Sequence, residues 1–191
     1  EMLEVKFYDT VDDALLKFAV IISKSNGKWV MCKHKERDTY EVPGGHREEG
    51  EDILDTAKRE LQEETGAIKF DLELLCIYSV TGKTNVNESG EESFGLLCFA
   101  EIMEFSGKLE SEIEKVELMD ELPENWTYPE IQPLLLEFWR EKMNETNSWG
   151  RQVIEKALEY VNYEWTPTEA NVLHGVDEAG RFVDTPDVTW K

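Results

Sequence analysis

Residues 45–67 read GHREEGEDILDTAKRELQEETGA, and their spacing decides the fold. From Asp52 the run ILDTAKRELQEET holds good helix formers, with neither Pro nor Gly inside it. Gly66 stands just past its end, where a left-handed cap suits a residue without a side chain. The spacing therefore predicts a helix. At about 100° per residue, Glu60, Glu63 and Glu64 fall within roughly one third of its circumference, while Leu54, Ala57 and Leu61 share a neighbouring arc that can face a core. Three carboxylates projecting to one place repel one another, and the cluster is destabilising unless positive charge sits among them. A divalent cation supplies that charge. Oxygen ligands point to Mg2+ or Mn2+ rather than zinc, because Mg2+ takes carboxylates, water and substrate phosphate.

Upstream, Tyr40-Glu41-Val42-Pro43-Gly44-Gly45 reads as a strand running into a tight turn, and its two glycines let a backbone carbonyl approach a metal. Gly45, Glu51, Arg59, Glu60, Leu61, Glu63, Glu64 and Gly66 together stand at G-x5-E-x7-R-E-L-x-E-E-x-G spacing. This resembles the box of the diphosphate-hydrolysing Nudix family, departing from it softly at Ala67, where the family prefers a larger aliphatic residue. The resemblance covers about residues 3–143 and implies an α/β fold, the Nudix α/β/α sandwich with a mixed sheet. It assigns a metal ligand to the carbonyl of Gly45, beside Gly44, and makes Glu51 and Arg59 a partly structural pair that braces the loop against the helix. Glu60, Glu63 and Glu64 then hold metal, and one of them also helps to activate water. Position in the motif favours Glu60 as the base and Glu63 and Glu64 as the strongest ligands. A further metal-binding glutamate often comes from a loop outside the box; Glu112 or Glu110, in KLESEIEKVE, fits that role. The reaction implied is attack of water on a phosphorus of a nucleoside diphosphate linked to another moiety.

Substrate is read from the remaining segments. Glu121-Leu122-Pro123-Glu124-Asn125-Trp126 is similar to the short loop with which MutT-like members hold an oxidised guanine, which makes Glu124 and Asn125 candidate base contacts. An amide both donates and accepts, as a purine edge requires, and Trp126 or Tyr128 is placed to stack on it. Box and loop together favour 8-oxo-dGTP or a related nucleotide, cut to the monophosphate and pyrophosphate. Lys33, His34, Lys35 and Arg37 form a rare basic run, with Lys33 and Lys35 the candidate phosphate contacts. Gly82, Lys83 and Thr84 stand where ADP-ribose hydrolases of the family usually carry a Pro and dinucleoside polyphosphate hydrolases often a Tyr, so both readings lose ground. His46 reads as a loop residue near solvent.

The chain of 191 residues carries 42 acidic against 20 basic side chains, a net charge of -22. Such a surface argues against a stable nucleic-acid complex, because phosphate attraction needs clustered Lys and Arg, and against an anionic membrane. An anionic nucleotide must instead be brought in by metal. Cys32, Cys76 and Cys98 are widely separated in apolar surroundings, as reduced core residues are. No basic-then-apolar leader and no run of apolar residues long enough to span a bilayer is present, so the expected place is the cytoplasm.

Leu15–Ser23 and Lys28–His34 read as strands around the turn Ser25-Asn26-Gly27. Ile68–Thr81, Ser93–Phe105 and Val116–Met119 read as further strands, and Tyr128–Met143 as a second long helix with Pro129 near its start. These make a domain over residues 1–143. The small C-terminal extension, 144–191, reads as a linker (Asn144–Gly150), an amphipathic helix (Arg151–Tyr163) and a possible hairpin (Val172–Val183), with Trp149, Trp165 and Trp190 as anchors. So small an apolar content is not stable alone; it is expected to pack on the domain, to exchange with a second copy in a homodimer, or to open a larger module. The alternatives are a non-catalytic Nudix-fold module that senses a nucleotide or binds a protein, against which the intact set Glu60, Glu63 and Glu64 weighs, and a hydrolase of another substrate such as ADP-ribose or RNA 5'-phosphates, for which the net charge makes long RNA an awkward partner.

Overall fold

The structure, a computed structural model, describes residues 3–84, 87–109 and 112–146. The chain divides into two compact units, Glu1–Lys142 and Met143–Lys191. In the second, residues 144–146, expected to open a linker, are helical. The helix, hairpin, tryptophan anchors and homodimer contact expected beyond them lie outside the described residues, as does Glu110.

The first unit is built on a mixed sheet. Its strands are β1 (Glu4–Tyr8), β2 (Leu16–Ser25), β3 (Lys28–His34), β4 (Tyr40–Glu41), β5 (Gly44–His46), β6 (Ala67–Thr81), β7 (Ser93–Phe105) and β8 (Ile113–Met119), with helix α1 (Ile53–Thr65) between β5 and β6. They run in the order β1-β6-β7-β2-β3-β4, with β5 on β2 and β8 on β3. Asn26 and Gly27 both take positive φ, 50° and 77°, as a two-residue hairpin turn demands, and β2 and β3 pair only beside that turn, Lys24 with Trp29 and Ser25 with Lys28. Beyond it they part. The first half of β2 is thereby free to pair antiparallel with β5 on one side and parallel with β7 on the other.

Alternation along β2 sends Ala19 and Ile21 to one face and Phe18, Val20 and Ile22 to the other. The first face packs with Val30, Leu96 and Cys98 against Ile53, Ala57 and Leu61 of α1. The second packs with Met31, Leu97 and Tyr78 against Ile131, Leu135 and Leu136. Helices therefore cover both faces of the sheet, which is the expected sandwich. Cys32, Cys76 and Cys98 are free and buried, and no described helix is long and apolar enough to cross a membrane.

Four readings are corrected. The second helix begins at Gln132, not Tyr128, because Pro133 lacks the N–H that an interior position needs and so fits only the first turn. Strand β8 starts at Ile113 rather than Val116, drawn into register by β3 as far as His34. Strand β1, unread in the sequence, is short and lies at the edge beside β6. In α1, Leu54 is exposed and Ile53 takes its place in the core, because Ile53, Ala57, Glu60 and Glu64 fall at i, i+4, i+7 and i+11 on a single stripe. Buried Glu60 and half-buried Glu64 thus continue the stripe rather than neighbouring it.

Candidate active site

Helix α1 is fixed at both ends by local chemistry. The Asp52 carboxylate accepts the Leu54 N–H at 2.9 Å, and Gly66 closes the last turn at φ 72°. Arg59 then organises the face toward β5. Its Nε and Nη2 donate to the two oxygens of Glu51 at 2.9 and 3.1 Å, Nη1 reaches Glu60 at 2.7 Å and Glu63 at 3.2 Å, and Nη2 also meets the His46 carbonyl at 3.0 Å. Glu51 accepts further bonds from Thr56 Oγ1 and the Glu48 N–H. The expected Glu51–Arg59 brace between loop and helix is therefore present in the geometry.

Strand β5 brings two glycines against the helix. The Gly44 N–H donates to Glu64 Oε2 at 2.9 Å, and the Glu60 carboxylate fills the space in which a Gly45 side chain would stand. The ladder with β2 separates the two glycines. Ile21 N–H bonds the Pro43 carbonyl and Arg47 N–H the Lys17 carbonyl, each at 2.8 Å, with Ala19 opposite Gly45 midway between them. Residues of that parity turn both backbone groups toward the partner strand, and those between turn them away. Gly45 thus directs its carbonyl at β2. Gly44 shares the outward side with its own N–H, so the carbonyl available to a metal moves from the expected Gly45 to Gly44.

Burial pushes the Glu64 carboxyl up to about 8, with Glu60, Glu41 and Glu63 adding to the rise and the Gly44 N–H opposing it. Glu60 is also raised, by burial against the pull of Arg59. Glu51 goes the other way, to about 2, because Arg59 and the Glu48 N–H bond its charged form. As they lie, the box carboxylates turn to Arg59 and Gly44, and among the described residues no three His, Cys, Asp or Glu groups stand together as a finished ion site. Their donor chemistry, carboxylate oxygens crowded on one helix face, fits a hard divalent cation.

A cavity opens beside Gly44, Gly45 and His46. The sheet contributes Phe18, Val20, Tyr78 and Val80, and the far wall is Tyr128, Ile131 and Gln132. Thr84 and Asn87, in the loop between β6 and β7, close one side. That loop is fastened by Glu92, which accepts from Tyr8 Oη and Ser79 Oγ at 2.7 Å each. Arg37 lies beside Glu41 and Tyr128 at another edge.

The structure gathers Gly44, Gly45, Glu51, Arg59, Glu60, Glu63 and Glu64, and it does not gather the rest. Lys33 is held by Asp38 at 3.3 Å and Glu114 at 2.7 Å, and Lys35 binds the Glu112 carbonyl through its N–H. The Glu112 carboxylate meets His34 Nε2 at 2.8 Å rather than the box carboxylates. Glu124 and Asn125 are exposed and stand outside the cavity wall. Asn125 donates through Nδ2 to the Asp38 carbonyl at 2.5 Å, its own carbonyl accepts the Tyr40 N–H at 2.9 Å, and Trp126 bridges to Tyr40. The loop expected to read a base instead adds a fragment of strand to β4. Of the two expected stacking residues, Tyr128 lines the cavity. Sequence reasoning missed Phe18, Tyr78 and Gln132; the signal for Gln132 was one amide inside the apolar stripe Ile131, Leu135, Leu136.

Comparisons with known proteins point to one family. A model of the NUDIX domain matches residues 15–146. The chain is 37% identical over 114 residues to the provisionally named 8-oxo-dGTP diphosphatase YtkD of Bacillus subtilis, covering 57% of this chain and 65% of that protein's length. Among solved structures it is similar to the pyrophosphohydrolase BsRppH of Bacillus subtilis, in a mutant form, with a TM-score of 0.61 at 27% identity over 73% of this chain and 90% of that one. A NUDIX hydrolase from Nitrosomonas europaea shares the fold, with a TM-score of 0.55 at 22% identity over 66% and 90% of the two chains. With the box of α1 and β5 in place and the domain model spanning most of the sequence, the chain belongs to the Nudix family.

Proposed function

We propose that this protein hydrolyses a nucleoside diphosphate linked to another moiety, and that its substrate is a nucleoside triphosphate of the oxidised-guanine type, released as monophosphate and pyrophosphate. The observation that carries the reading is the meeting of Glu64 with Gly44 and of Glu60 with Gly45, two glycines that line an aromatic-walled cavity, with Glu63 drawn to Glu60 by their shared Arg59. The 37% identity to YtkD supports the choice of nucleotide.

Glu60, Glu63, Glu64 and the Gly44 carbonyl are the groups to hold a divalent cation, Mg2+ or Mn2+, which when bound lowers the pKa of attacking water and neutralises phosphate charge. Arg59 positions Glu60 and Glu63 through one guanidinium nitrogen. Glu60, with its pKa raised by burial, takes the proton of the attacking water as a new oxygen–phosphorus bond forms and the bridging one breaks, so that pyrophosphate leaves. Phe18, Tyr78 and Tyr128 offer flat apolar walls to the base. Buried cysteines outside any disulfide and the strong negative charge support a cytoplasmic setting and a small-nucleotide substrate.

The test is initial-rate hydrolysis of 8-oxo-dGTP, the common nucleoside triphosphates, ADP-ribose and diadenosine polyphosphates with Mg2+ or Mn2+, beside Glu60→Gln. General-base help is typically worth about 100- to 10,000-fold, so folded Glu60→Gln is expected to lose at least that lower factor. Near-normal turnover by the folded variant sinks the assignment of Glu60, and no turnover on the whole panel sinks the hydrolase reading.

A further inference from the structure

We infer that Gln132 presents one fixed hydrogen-bond donor to the cavity, and that this donor selects nucleotides whose base shows a carbonyl at that edge, the 6-oxopurines, over adenine nucleotides, which show an amine. The inference rests on the nucleotide reading given above.

Gln132 is only 5% exposed, yet it forms part of the cavity wall. The Val42 N–H meets its side chain at 3.2 Å. A backbone N–H can only donate, so the atom facing Val42 is the amide oxygen, and turning the amide over would set one donor against another. Nε2 is thereby committed to the opposite side. It has no partner among the described residues, and it is not among the polar atoms sealed away from the surface. Buried side-chain amides are nearly always satisfied, and here the cavity is where a partner for Nε2 can come from.

Its position is also fixed along the backbone, since the Gln132 N–H bonds the Tyr128 carbonyl at 3.0 Å. Asn87, the other amide of the cavity wall, is tied within its loop through both its nitrogen and its oxygen. Its Nδ2 donates to the Glu91 carbonyl at 2.8 Å, and its oxygen accepts from Ser89 Oγ and the Gly90 N–H. Across the cavity Phe18 packs against Gly95, where any side chain would collide with the ring, and Tyr78 meets Phe18 edge-on at 5.5 Å between centroids. A planar base slides along such walls with its polar edge turned to the donor.

Guanine offers O6 and N7, both acceptors, whereas adenine carries the N6 amine in the place of O6. An amine there leaves Nε2 unpaired and faces one donor with another, and a site built to bond a ligand group rejects the analogue that cannot complete the bond. The preference covers intact and oxidised guanine alike, because both retain O6.

The measurement is kcat/KM for GTP, ITP and ATP with Mg2+, together with calorimetric binding of the α,β-methylene analogues of GTP and ATP, for the full chain and for Gln132→Glu. The variant keeps an oxygen for Val42 and replaces the donor with an acceptor. The wild-type protein is expected to favour GTP and ITP over ATP by about ten- to a hundredfold, and Gln132→Glu to erase or reverse that ratio in turnover and in binding. Equal use of GTP and ATP by the wild-type protein, or an unchanged ratio in the folded variant, overturns the inference and leaves the hydrolase reading intact. Selective binding of the GTP analogue without turnover, lost in Gln132→Glu, does the reverse. Should Gln132→Glu fail to fold by circular dichroism, Gln132→Met, which removes the donor at similar length, is expected to bring the ratio to about one.

Discussion

Glu60 of helix α1 places its carboxylate in the volume that a side chain at Gly45 of strand β5 would occupy. The helix and the strand are thus packed so closely that only glycine leaves room for the candidate base. A methyl group added at residue 45 has to move a carboxylate that Arg59 holds at 2.7 Å. Gly45→Ala is expected to lower kcat/KM by about 100-fold or more, comparable to loss of general-base help, with little change in the far-ultraviolet circular dichroism. Retained activity in Gly45→Ala would show that Glu60 has freedom to move without consequence.

The brace between Glu51 and Arg59 has a pH signature. Glu51 is held at about 2 in the folded protein, below its ordinary 4.5, so its charged form is the one that folding favours. The stability it contributes is fully present above about 4.5 and is lost as pH falls toward about 2. Glu51→Gln is expected to lower the melting temperature at pH 7 and to flatten its fall between these limits. Parallel acid-unfolding curves for the two proteins would remove Glu51 from the explanation.

Asn125 and Gln132 are both amides near the start of the second helix, and the structure gives them different work. Asn125→Ala removes the bond to the Asp38 carbonyl on an exposed loop, which is expected to cost under about 1 kcal/mol. Its nucleotide preference should equal that of the wild-type protein. A shift in the GTP to ATP ratio in Asn125→Ala would return the ELPEN loop to the base-reading role.

Ser23 lies in the second half of β2, fully buried, and its hydroxyl has no hydrogen-bond partner among the described residues. Burying an unpaired hydroxyl costs about 1–3 kcal/mol by mutational measures. Ser23→Ala is therefore expected to raise the stability by about 1 kcal/mol in urea unfolding, at an unchanged slope. Destabilisation of similar size would mean that the hydroxyl is satisfied.

By itself the sequence determined the box helix, its Gly66 cap and the hairpin at Asn26-Gly27. All of these are local: they follow from periodicity, from φ requirements and from spacing within one or two turns. The sandwich and the Glu51–Arg59 pair were expected from the resemblance of the box to the Nudix family, and strands with helices on either side fit it. Tertiary structure decided what depends on the meeting of distant segments. The register of β5 on β2 chose Gly44 over Gly45 as the residue with an outward carbonyl. The docking of α1 on the sheet made Glu60 and Glu64 part of the buried stripe and raised their pKa values, which no helical projection reveals without knowing where the sheet ends. The cavity draws Phe18, Tyr78 and Gln132 from segments far apart in the chain, and Asn125, so apt by motif, was claimed instead by Tyr40 and Asp38 because an unpaired strand end satisfies its backbone with whatever loop lies beside it.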